Sequence, residues 1–121
     1  MLTLQRIIDT LNLTVLTEPQ DFSKVSPQGG YASDLLSCVM AGAQSGNVWV
    51  TLQAHLNVVA VAGLTEVCAV ILTEGSLPER VVLERANQQG VVLLSTSAPS
   101  YQVVGRLWEM GLTNPELPTS A

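Results

Sequence analysis

His55 is the only histidine of the chain, and it stands with Thr51, Gln53 and Asn57 in "VWVTLQAHLNVVAVAGL", Val48 to Leu64, a segment without formal charge. An imidazole beside hydroxyl and amide groups can carry a proton or hold a small ligand. The same change from apolar to small hydrogen-bonding residues occurs twice more. Thr73, Glu74 and Gly75 follow "VCAVIL", and Ser95, Thr96 and Ser97 follow "VVLL". Any enzyme reading leads with His55 and Asp34 as acid and base. The chain lacks a GxSxG elbow, a Walker loop and an HExxH motif, so no catalytic residue is assigned. A lone histidine and two cysteines 30 positions apart, Cys38 and Cys68, lack the ligand spacing of zinc. No metal and no cofactor are expected.

The elements that position these residues follow from periodicity. "TLQRIIDTL" has apolar residues at helical spacing, and Thr3 can cap it. "LTVLT" is a short strand, and "EPQDFSKVSPQGG" is a loop ending in the pair Gly29-Gly30. "GYAS" is a second short strand. The pattern predicts a helix from Asp34 to Gln44, capped by Ser33 or Asp34, with Leu35, Leu36, Val39, Met40 and Ala43 as its stripe. "NVWVTLQ" is a strand, and Asn57 caps a short helix after it. "EVCAVILTEG" and "VVLLST" are strands, the first followed by a helix with Pro78 in its first turn and Gly90 past its end. The last helix, in "APSYQVVGRLWEMG", is capped by Ser97 and turns Val103, Val104, Leu107 and Trp108 inward. Continuous β-branched and leucine runs are the mark of strands buried on both faces of a parallel sheet. The chain is therefore read as α/β: a single domain, 1–112, with a mostly parallel central sheet, βαβ units and flanking helices, and a loose tail, 113–121.

In open α/β sheets, ligands bind beyond the carboxyl ends of the strands. Asp34, Thr51, Gln53, His55, Asn57, Thr73, Ser95 and Thr96 fall at or near those ends. A helix start at Asn57 beside a neutral imidazole and an amide suits a small anion or a nucleotide phosphate. Gly29 and Gly30 offer a close backbone approach. These ten residues form the expected ligand site.

Composition narrows the partners. The net charge is −5, and the five basic residues are scattered, so nucleic acid is not an expected partner. No leader pattern and no apolar span of membrane length is read, so a cytoplasmic protein is expected. Only 12% of the residues are charged, and 31 consecutive residues between Asp34 and Glu66 lack Asp, Glu, Lys and Arg. A homodimer closing over this neutral segment is expected, with Met40 and Val61 in the contact. Both cysteines lie in apolar runs and are expected to be buried thiols.

"SPQGGYASDLLSCVMAGAQSGNVWVTLQAHLNVVAVAGL", "CAVILTEG", "GVVLLST" and "GRLWEMG" together resemble the DRTGG domain family, over roughly Thr14 to Leu112. The five positions of the family's signature read Ser26, Pro27, Gln28, Gly29 and Gly30, so only its glycines match. The resemblance implies a fold similar to the amino-terminal domain of HPr kinase/phosphorylase, without the kinase half. It also implies a standalone, dimeric, regulatory ligand-binding role. The alternatives are a ligand-free scaffold, with a link to iron-hydrogenase systems, and an enzyme of unknown reaction.

Overall fold

The computed structural model describes residues 1–115, and the expected loose tail, 113–121, lies outside the described residues from position 116 on. Helix α1 (Leu4–Leu11) leads into strand β1 (Thr14–Val15). A 3₁₀ turn at Phe22–Lys24 precedes β2 (Gly30–Ala32), α2 (Leu36–Gly42), β3 (Val48–Thr51) and α3 (Leu56–Thr65). Then come β4 (Ala69–Leu72), α4 (Arg80–Gln89), β5 (Leu93–Ser95) and α5 (Ser100–Glu109). The sheet has five strands in the order β1-β5-β4-β3-β2. β2 to β5 run parallel, and β1 pairs antiparallel with β5 at the far edge. The α/β reading of the sequence is the observed architecture.

Each βαβ step moves one strand along in the same direction. Right-handed crossovers therefore keep α2, α3 and α4 on one face, where α3 packs between the other two. α1 and α5 cover the opposite face, and α5 lies over β3. Two cores result. Val48, Val50, Ile71 and Leu94 point to the α1–α5 side with Leu4, Ile7, Val103 and Leu107. Trp49, Val70, Leu72 and Leu93 point to the α2–α4 side with Val39, Val58, Val59 and Ala86. The period-2 alternation thus supplies both layers from strands that are apolar throughout.

Several helix ends differ from the sequence reading. α2 is shorter than Asp34–Gln44. Neither predicted residue caps it from its own side chain: Leu35 is the N-cap, and Ser33 Oγ accepts the Leu35 N–H at 3.1 Å. α2 covers only the sheet's β2 edge, so of its stripe only Val39 is fully enclosed, while Leu35 and Met40 are exposed. Cys38, next to Val39, turns outward and is exposed, which corrects its assignment as a buried thiol. Cys68 is half-buried, and burial pushes its thiol up to about 11. α3 is capped two residues earlier than expected, at His55 and not Asn57. Pro78 precedes the N-cap of α4, Glu79, instead of lying in its first turn. α5 is capped at Pro99, not Ser97. Val103 and Leu107 point inward, but Val104 and Trp108 do not; both border a slot shared with β2. Val61 is buried in the chain's own core and so is not a contact residue.

Candidate functional site

The carboxyl ends of the parallel strands form one rim, and its polar residues hold one another. At the end of β3, Asp34 Oδ1 accepts from Thr51 Oγ1 at 2.7 Å and from the Leu52 N–H at 2.9 Å. Thr51 Oγ1 accepts the Gln53 N–H at 3.1 Å, and Gln53 Nε2 donates to the Asp34 carbonyl at 3.4 Å. The indole N–H of Trp49 donates to the Ser33 carbonyl at 2.9 Å and fixes the turn that delivers Asp34. Thr51 is buried, so this carboxylate satisfies a hydroxyl that water cannot reach. His55 and Asn57 stand beside the cluster in sequence but are exposed, and neither side chain is hydrogen-bonded among the described residues.

The topological switch point lies between β4 and β5, because α4 and α5 leave to opposite faces of the sheet. Here too the chain closes on itself. Glu74 and Gly75 have φ of 60° and 74°, a left-handed turn that brings their N–H groups to the Ala98 and Thr96 carbonyls at 2.9 and 3.1 Å. Glu74 Oε2 then accepts the Ser100 N–H at 2.8 Å, at the start of α5. A helix start attracts an anion through its free N–H groups and its dipole. In this chain that anion is the chain's own Glu74. Thr73 Oγ1 and Ser100 Oγ share a hydrogen bond beside it. What stays open is a cleft of about 420 Å³ lined by Asn12, Thr14, Gly75, Ser95, Thr96 and Ser97 among others. No lysine or arginine lines it, so nothing there neutralises a phosphate.

Gly29 and Gly30 are elsewhere, at the amino end of β2, away from the rim. Their close approach is to the chain itself. Gly30 N–H donates to Asn114 Oδ1, and Asn114 Nδ2 donates to the Gly30 carbonyl, both at 2.8 Å. Gly29 is held at φ 85°, and a Cβ there would collide with the Asn114 amide. Gly29 must be glycine for that latch, whereas Gly30 contributes only its backbone groups, and a Cβ there would make ordinary contacts. Nothing in the sequence marks Asn114 as its partner, since it lies 84 positions away in a proline-flanked stretch. The structure thus brings Asp34, Thr51 and Gln53 together, sets Thr73, Ser95 and Thr96 at the switch point, and separates both groups from the glycines.

No family model matches the chain, and no curated protein matches it. Among solved structures, the chain is similar to the CBS and DRTGG domains of the regulatory region of Clostridium perfringens pyrophosphatase, crystallised with its activator diadenosine tetraphosphate. The TM-score is 0.71 at 16% identity, over 85% of this chain and 44% of that one. The chain spans less than half of that regulatory region. At this identity the likeness is one of fold, and it agrees with the DRTGG part of the sequence resemblance; it does not bear on HPr kinase. No helix among the described residues is long and apolar enough to cross a membrane.

Proposed function

We propose that this chain is a regulatory module that senses a small ligand and works as a homodimer, without chemistry of its own. The observation that carries the reading is the uncharged outer face of α2 and α3. Leu56, Ala60 and Leu64 recur at every fourth residue along α3 and are exposed. Leu35, Cys38, Met40 and Ala41 are exposed on or beside α2, which packs against α3. A surface helix ordinarily turns polar residues outward. In a chain of net charge −5, a neutral face is where a second copy meets the least like-charge repulsion. The acids of the rim support the same reading. Asp34 and Glu74 are engaged as structural acceptors, which leaves His55 without a carboxylate partner among the described hydrogen bonds.

The fold neighbour is part of a regulatory region whose activator is a nucleotide. That makes nucleotides the first compounds to test as ligands of this chain, with the cleft at Ser95 and Thr96 as one site for the uncharged nucleoside part. Unfolding followed across a hundredfold range of protein concentration tests the dimer. A coupled dimer melts at higher temperature as concentration rises. A midpoint that does not move contradicts it.

A further inference from the structure

We infer that the slot between the β2 edge and α5 binds an adenine-type base, a flat ring with an amino donor next to a ring-nitrogen acceptor. This rests on the ligand-sensing reading and gives it a place and a chemistry.

The register of the sheet shows what the edge offers. Val48 N–H donates to the Gly29 carbonyl, and Ser33 N–H donates to the Val50 carbonyl. Gly29, Tyr31 and Ser33 therefore face β3, and the N–H and C=O groups of Gly30 and Ala32 face outward. The two outward pairs are about 6.6 Å apart. The Gly30 pair is filled by the Asn114 amide, with both bonds at 2.8 Å. A flat group with adjacent donor and acceptor is thus what this edge already holds. Ala32 offers the same pair, it is exposed, and its backbone has no partner among the described residues.

Ala32 also lines an apolar slot of about 200 Å³ between the sheet and α5. Val50, Val104, Leu107, Trp108 and Leu112 are among its walls, and Asn114 is at its margin. Trp108 is 57% exposed, although the chain has only two tryptophans and buries the other completely. An exposed indole beside an aliphatic slot is a stacking surface for a ring. An added peptide strand fits less well. It pairs with alternate residues of an edge, and Asn114 already occupies Gly30, which leaves one residue to bind. A phosphate fits less well too, because no lysine or arginine lines the slot. The base enters, its amino group donating to the Ala32 carbonyl and its ring nitrogen accepting the Ala32 N–H. Ribose and any phosphate stay outside.

The test is adenosine added to the full chain, followed by amide and indole NMR shifts. Saturable shifts at the Ala32 amide and the Trp108 indole are expected. N6,N6-dimethyladenosine keeps the rings but has no amino proton, and it should bind roughly tenfold or more weakly. Trp108→Ala should weaken adenosine similarly. Ala32→Pro removes the donor at an edge position where proline is tolerated, and should do the same; if that variant does not fold, Trp108→Ala and the dimethyl analogue decide. Equal binding of the two nucleosides overturns the base site. Shifts confined to the Ser95–Thr96 cleft overturn the slot and leave ligand sensing standing. No response to adenosine or to any nucleotide, anywhere in the chain, overturns both. An Ala32 amide that moves with protein concentration and not with adenosine assigns the edge to a second copy, and the slot proposal fails.

Discussion

Removing the Asn114 amide should loosen the amino end of β2 by a predictable amount. Asn114→Ala deletes two hydrogen bonds of 2.8 Å to Gly30. At roughly 1 kcal/mol net each, less for groups that water can reach, the loss is about 1–2 kcal/mol. Gly29→Ala acts through the same latch. It costs about 1–2 kcal/mol for a side chain in the left-handed region, and its Cβ displaces the amide for about 1–2 kcal/mol more. In the double variant the amide is already gone, so only the backbone strain is added. The two effects should therefore fall short of additivity by about 1–2 kcal/mol, the latch's own contribution. Urea unfolding of the four proteins measures this. Strict additivity, or an Asn114→Ala variant as stable as the parent, would refute the reading of Gly29 as the seat for Asn114.

Further outcomes follow from the rim and the thiols. Asp34→Ala strands the buried Thr51 hydroxyl and should cost about 1–3 kcal/mol, while Asp34→Asn keeps an acceptor and should restore most of it; equal losses would show that the charge, and not the acceptor, matters. Glu74→Ala uncovers the start of α5 and should cost about 0.5–2 kcal/mol in thermal or urea unfolding, with no loss meaning that water replaces the carboxylate fully. In dilute native protein a thiol reagent should modify the exposed Cys38 well before Cys68, and Cys38 should slow as concentration brings α2 against its copy; the opposite order would contradict the burial. Burial holds the Cys68 thiol at about 11 against an ordinary 9.0, so the folded chain keeps a proton that the unfolded chain loses in that interval. Stability should thus be complete below pH 9 and decline between pH 9 and 11 by about 2–3 kcal/mol. A Cys68→Ser variant with the same alkaline decline would remove the thiol as its cause.

The layers of this fold are legible in the sequence because burial leaves a simple mark. "VCAVIL" and "VVLL" have no polar face, and a strand without one must lie between two helical layers. The helix ends are less legible. Ser33, Asp34 and Ser97 all have cap chemistry, but Asp34 is drawn to Thr51 and Leu52 across the sheet, and Glu74 reaches the start of α5 from 26 positions away. Local propensity does not register such long-range acceptors. Met40 and Val61 show the same limit within uncharged helices. Composition marks both as apolar, but only packing distinguishes Val61, which faces the sheet, from Met40, which faces outward. At the candidate site, the clustering of Asp34, Thr51 and Gln53 follows from strand alternation and a parallel sheet. The latch at Gly30 and the slot beside Trp108 depend on where the chain returns after α5, and no periodicity reports that.

Sedimentation velocity at micromolar concentration, on the parent chain and on Met40→Glu, tests the regulatory dimer most directly. Met40 is 47% exposed in the single chain, so the variant should fold. A parent of twice the 12.8 kDa chain mass and a folded variant of one chain mass are expected, since a charge on the α2–α3 face meets its like across the two-fold. A parent that sediments as one chain, or a Met40→Glu variant that stays paired, would contradict it.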